Sequence, residues 1–125
     1  MTGSRTWFFP DGELPPPGAG ELQGHESLII LNPNPDPATV TLTLYWTDRD
    51  PVSFTVAVGG ERVRCLRTNE PADMGGLELP LEVQYAIGLV SDVGIIAQYG
   101  RLDVRQANMA FYSATGYHES GEPPN

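Results

Sequence analysis

The run ATVTLTLYWT at 38–47 constrains this chain more than any other feature. Val40, Leu42, Leu44 and Trp46 fall on one side of an extended backbone, and Thr41, Thr43, Tyr45 and Thr47 on the other. A period of two, rich in β-branched and aromatic residues, fits a half-buried strand and no helix. VSFTVAV (52–58) repeats the pattern after a DRDP turn, with Val52, Phe54, Val56 and Val58 inward. Gly59-Gly60 then has the spacing of a tight hairpin, because both residues can take positive φ; it predicts ERVRCLRT (61–68) as the returning partner. HESLIILN (25–32) reads as a buried strand, stopped by NPNPDP (32–37). EVQYAIGLVS (82–91) and GIIAQYGRL (94–102) read as two strands joined through Asp92-Val93-Gly94, and NMAFYSATGY (108–117) as the last. PDGELPPPGAGELQG (10–24) reads as an extended loop, and HESGEPPN (118–125) as a polar tail.

No window carries a helical apolar repeat over three turns. The 14 glycines and 12 prolines supply the many turns that short strands need. The expectation is one domain over 1–117, all-β with almost no helix: an antiparallel β-sandwich or barrel of about seven strands.

Charge narrows the partners. Sixteen acidic residues against seven basic ones, all arginine, give a net charge of −9. Such a chain is repelled by phosphate backbones, which argues against duplex DNA. The single cysteine, Cys65, excludes an internal disulfide and fits a reducing compartment. With no apolar run of membrane-spanning length and no export signal, the expected location is cytoplasmic.

Motifs for chemistry are few. There is no phosphate-binding glycine loop, no nucleophile elbow and no CxxC or HExxH pair, and His25 and His118 lie too far apart in sequence to suggest a metal site. No nucleophile–base pair can be named, so the chain reads as a non-enzyme without cofactor or metal. One segment is dense in polar groups: GRLDVRQAN (100–108), with Arg101, Asp103, Arg105, Gln106 and Asn108. At strand spacing Arg101, Asp103 and Arg105 share a side. They form either a self-satisfied ion-pair ladder or a set of forks for a polyhydroxylated or anionic ligand. His25-Glu26 reads as a partly exposed pair at a strand start. Trp46 belongs with the core by phase, whereas Trp7, beside a Pro-Gly segment, fits a pocket wall. Tyr45 and Asp48 lie on or just past a polar strand face.

With those segments in place, the chain resembles the sensory rhodopsin transducer family of small β-proteins. The resemblance rests on Trp7 and Gly12 followed by LPPPGAG (14–20), on HESLIILN, TLTLYWTDRDPV (41–52) and LRTNEP (66–71), and above all on QYGRLDVRQAN (98–108) and FYSATGY (111–117). It implies a jelly-roll-like β-sandwich, a homo-oligomer in the form of a cyclic tetramer, signalling linked to a membrane photoreceptor of rhodopsin type, and binding of a polar small molecule with sugars favoured. The polar set it carries over is Trp7, His25, Glu26, Tyr45, Asp48, Arg101, Asp103, Arg105 and Gln106. An adaptor whose polar residues only hold an oligomer together is the alternative. A third and weaker class is an enzyme acting on sugars through two carboxylates.

Overall fold

The computed structural model describes residues 1–106 and 108–119. Among the described residues are eight strands: β1 (Ser4–Glu13), β2 (His25–Asn32), β3 (Ala38–Trp46), β4 (Val52–Val58), β5 (Arg62–Arg67), β6 (Gln84–Asp103), β7 (Ala110–Ala114) and β8 (Tyr117–Glu119). The helical content of the described residues is a short 3-10 turn at Pro71–Asp73. One layer runs β4-β3-β6-β1-β8; the other joins β5, β2, the second half of β6 and β7. Among the described residues every pairing between these strands is antiparallel, and one isolated parallel bridge joins Leu14 to Leu81. The molecule is antiparallel and nearly helix-free, as its periodicity predicts, and of the sandwich and barrel that periodicity left open it forms the sandwich that the resemblance implied.

The core lies between the layers. Val40, Leu42 and Leu44 of β3, Ile87 and Leu89 of β6, and Leu28 and Ile30 of β2 are fully enclosed. The threonines between the β3 residues are at least partly exposed, as strand alternation demands. Val52, expected inward at the start of β4, is exposed instead.

Three readings of the chain path are corrected. First, 84–103 is one strand of 20 residues, not two joined by a turn. Its residues 85–91 pair with β3, and 96–102 pair with β2, so it leaves one layer and enters the other near Gly94. Gly94 is a close-approach glycine there: a Cβ would sit 2.3 Å from the Thr2 carbonyl oxygen. Asn34 pins the crossing, donating from Nδ2 to the Thr2 and Gly94 carbonyls at 2.8 and 2.9 Å.

Second, β5 pairs with β2 and not with β4. Gly59 and Gly60 are not among the glycines with positive φ, so the hairpin turn they were expected to form is not made. Gly60 instead lets the chain pass Pro35, whose carbonyl oxygen a Cβ would meet at 1.9 Å. The buried Asn32 amide donates to the Asp36, Val58 and Gly59 carbonyls at 2.8–3.3 Å, which ties the crossover between layers.

Third, the N-terminal stretch is a strand, and β1 lies between β6 and β8. Pro10-Asp11 sits where the register with β6 shifts between Phe9 and Gly12, an irregularity that accommodates a proline inside a sheet. The folded region also runs past 117. Trp7 pairs with His118, and His118 Nδ1 lies 2.9 Å from Ser4 Oγ. Positions 120–125 of the expected tail lie outside the described residues.

Candidate functional site

Glu26 stands in phase with Leu28, Ile30 and Asn32 on β2, so its side chain points into the sandwich, where it is 0% exposed. It is not the partly exposed residue expected at a strand start. A buried carboxylate is tolerated only if donors surround it, and here four do. Tyr85 Oη donates to Oε1 at 2.6 Å and Thr68 Oγ1 to the same oxygen at 2.9 Å. Tyr99 Oη donates to Oε2, and the backbone N–H of Glu13 donates to Oε2 at 2.9 Å. Arg101 Nε stands 3.9 Å from Oε2 and donates to Tyr99 Oη at 3.1 Å. The order Arg101→Tyr99→Glu26 aligns each donor with the next acceptor, so the bonds polarise one another.

The fold brings these groups together from distant positions. Both tyrosines come from β6, one from each half, and both face inward in phase with Ile87 and Ala97. Thr68 follows β5, and Glu13 ends β1. Gly12 is required for closure, because a Cβ there would lie 2.7 Å from the Tyr85 ring. Burial, with the Glu26 charge beside it, raises both phenols above their ordinary value of 10.0, so neither ionises near neutral pH.

Arg101 continues the network outward. Its Nη2 donates to the Asp11 carbonyl at 3.1 Å and stands 3.6 Å from the Asp11 carboxylate. Its guanidinium lies 5.1 Å from the Tyr112 ring centre. Asp103 and Arg105 form a separate pair: Arg105 Nε donates to both Asp103 oxygens at 3.1 and 2.9 Å, and Nη2 donates as well. These bonds hold the Asp103 carboxyl below the usual carboxylate range. The expected Arg101–Asp103–Arg105 row is thus split, because Arg101 is committed to Tyr99 and Asp11, while Arg105 lies past the strand end. Asp103, Arg105 and Gln106 line a cavity of about 360 Å³ with Ala110.

The remaining predicted residues stand apart from this cluster. Trp7 is in the core rather than on a pocket wall, 6% exposed, with Nε1 donating to the Ser4 carbonyl at 2.9 Å and its ring 4.7 Å from His118. Trp46, assigned to the core by phase, is half-buried under Arg49, whose guanidinium is 4.8 Å from its ring centre. His25 Nδ1 contacts the Gln23 carbonyl, Tyr45 lies on the outer face of β3, and Asp48 pairs with its neighbour Arg49. Of the nine predicted residues, Glu26 and Arg101 meet at one network, and Asp103, Arg105 and Gln106 at one cavity.

Sequence reasoning missed Tyr85, Tyr99, Thr68 and Asp11. The signal was present for the tyrosines: each is in phase with buried aliphatics, and a buried phenol needs an acceptor.

The family model described as Anabaena sensory rhodopsin transducer matches residues 2–118. The solved structure titled Thermotoga maritima 1070 superposes with a TM-score of 0.87 at 34% identity, covering 98% of this chain and 100% of that one. The Anabaena sensory rhodopsin transducer superposes with a TM-score of 0.69 at 29% identity, covering 78% and 96%. A search of curated proteins found no match. With the family model spanning nearly the whole domain and the sandwich shared with both solved structures, this chain belongs to the Anabaena sensory rhodopsin transducer family.

Proposed function

We propose that this protein is a non-enzymatic, cytoplasmic signalling domain that binds a polar small molecule, a sugar or sugar acid foremost. The family match supports the signalling role, with a membrane photoreceptor of rhodopsin type as the partner that the relative's name suggests. The cavity beside Asp103, Arg105 and Gln106 carries the ligand reading. Its size, about 360 Å³, lies within the common range for small-molecule sites, roughly 300–1,000 Å³. A carboxylate, a guanidinium and an amide in one hollow offer acceptors and planar donors to neighbouring hydroxyls. The Asp103–Arg105 pair fixes both groups in one geometry before any ligand arrives, which lowers the ordering cost of binding.

Calorimetry against mono- and oligosaccharides and sugar acids tests this reading. Binding that Asp103→Asn and Gln106→Ala weaken, with the fold intact, supports it. Absence of heat from every sugar overturns it.

A second reading, an adaptor acting as a homo-oligomer, is favoured by the outer face of the β5-β2-β6 layer. Val63, Leu31 and Ile96 form one outward row, and Cys65, Ile29 and Gln98 the next. Val63 is 63% exposed, and Ile29, Leu31 and Ile96 are also exposed. Neither row holds a carboxylate, in a chain of net charge −9. A contiguous apolar face of this kind marks an interaction surface. Light scattering on wild type and Leu31→Glu tests it: an oligomer that the substitution dissociates supports the reading, and a wild-type monomer at micromolar concentration removes it.

A further inference from the structure

A second cavity, separate from the Asp103 hollow, lies between β1, the second half of β6 and the end of β7. It measures about 170 Å³ and is walled by Phe9, Pro10, Tyr99, Tyr112 and Ala114, with Asp11 at its edge. Gly116 closes one side with φ +72°, and a Cβ there would lie 2.6 Å from the Phe9 ring. The closeness of that wall therefore depends on a glycine.

We propose that this cavity binds a small organic ammonium ion with an apolar body, an alkyl or aryl monoamine. The walls are almost wholly carbon, and three of them are aromatic rings. Ring faces attract cations, and the Tyr112 ring already holds the Arg101 guanidinium at 5.1 Å from its centre. The local charges leave one negative charge unbalanced. Glu26, fully buried, stands 3.9 Å from Arg101, which is 14% exposed. Asp11 Oδ1 stands 3.6 Å from the same guanidinium and accepts from Gln84 Nε2 at 3.2 Å, but its side chain is 72% exposed, so Oδ2 can take a further donor. Arg101 and the two carboxylates therefore sum to −1, which a monocation neutralises. The overall charge of −9 adds a field that draws cations and repels anions.

Size sets the body. A volume of 170 Å³ holds about six waters at roughly 30 Å³ each, which matches an amine of about six to eight heavy atoms. An anion of the same shape meets the unbalanced carboxylate, and a neutral isostere forgoes both the carboxylate and the ring faces. A quaternary or long-chain polyamine would project out of the hollow.

The test is titration of the full chain with benzylammonium, n-pentylammonium, benzyl alcohol and benzoate, followed by calorimetry and by amide chemical shifts. The amines bind, with shifts at Phe9, Asp11, Tyr99, Tyr112 and Ala114. Benzyl alcohol binds about tenfold more weakly and benzoate more weakly still, since a charge-assisted hydrogen bond separates them from the amine. Asp11→Asn, on an exposed side chain, weakens the amines about tenfold and brings amine and alcohol together. Tyr112→Leu keeps the apolar wall but removes a ring, and costs roughly two- to fivefold. Circular dichroism confirms that both variants remain folded. Benzyl alcohol binding as tightly as benzylammonium, tighter binding of benzoate, an Asp11→Asn variant equal to wild type, or no binding up to about 10 mM each overturns the proposal. None of these outcomes bears on sugar binding at Asp103, which is read in a separate titration.

Discussion

Glu26→Gln is the substitution that probes the interior most sharply. It changes one atom and almost no volume, so the effect comes from hydrogen bonding and charge. The amide oxygen must keep the Oε2 position, because the Glu13 N–H that bonds there at 2.9 Å cannot rotate away. The new NH₂ then faces Tyr85 Oη and Thr68 Oγ1, which donate to Oε1 at 2.6 and 2.9 Å in the wild type. Both hydroxyls must turn round to accept, and the two bonds at Oε2 lose their charge assistance. Each bond loses about 1 kcal/mol, the difference between a charged and a neutral hydrogen bond. Relief from burying a charge returns part of this. The net cost is about 2–3 kcal/mol, a fall of roughly 6–15 °C in Tm for a domain of this size. Glu26→Ala leaves the donors without an acceptor and should cost about 3–5 kcal/mol. Urea denaturation followed by tryptophan fluorescence measures both. A cycle with Tyr99→Phe should show coupling of about 1–2 kcal/mol. A Glu26→Gln variant within about 0.5 kcal/mol of wild type would refute the claim that the carboxylate organises the interior.

Other outcomes follow from the same geometry. Tyr85 and Tyr99 titrate higher folded than unfolded, so above about pH 10 the unfolded chain releases protons that the folded one retains. Stability is therefore full below that pH and falls as pH rises further; alkaline denaturation monitored by circular dichroism shows the slope, and Tyr99→Phe should flatten it. Gly60→Ala forces a Cβ against the Pro35 carbonyl oxygen and should cost about 2–4 kcal/mol in urea denaturation, whereas Gly20→Ala, with open space around it, should stay within about 0.5 kcal/mol. Asp103→Ala removes a partly exposed pair and should cost no more than about 1 kcal/mol by thermal melting, because solvent already screens it.

Local alternation made β2, β3 and β4 legible, since whether a side chain faces in or out of a strand depends only on its immediate neighbours in sequence. The bounds expected for β2 and β4 match those observed, and β3 ends one residue early. Pairing was not local. Gly59-Gly60 has hairpin chemistry, yet β5 pairs with β2 because the chain passes Pro35 and the Asn32 amide holds the crossover. β1 was hidden by Pro10-Asp11-Gly12, which spells a loop but sits at a register shift inside a strand. The same limit applies to the site. The phase of Glu26 with Leu28 and Ile30 carried an inward signal that the reading of a partly exposed pair at a strand start passed over; its donors Tyr85 and Tyr99 lie 59 and 73 positions away, and only the folded sheet brings them together. The dense polar segment at 100–108 was visible, whereas its division between an Arg101 branch facing Tyr99 and an exposed Asp103–Arg105 pair depends on where β6 ends.

The most direct measurement of the functional account is an amide chemical-shift map during titration with a sugar or sugar acid found to bind by calorimetry. The account predicts that the shifted residues cluster at Asp103, Arg105, Gln106 and Ala110, the residues around the 360 Å³ cavity, and that Asp103→Asn abolishes the shifts without loss of fold. Shifts confined to the outer rows at Val63, Leu31 and Ile96, or no shift with any sugar in the panel, would contradict it and leave the adaptor reading in its place.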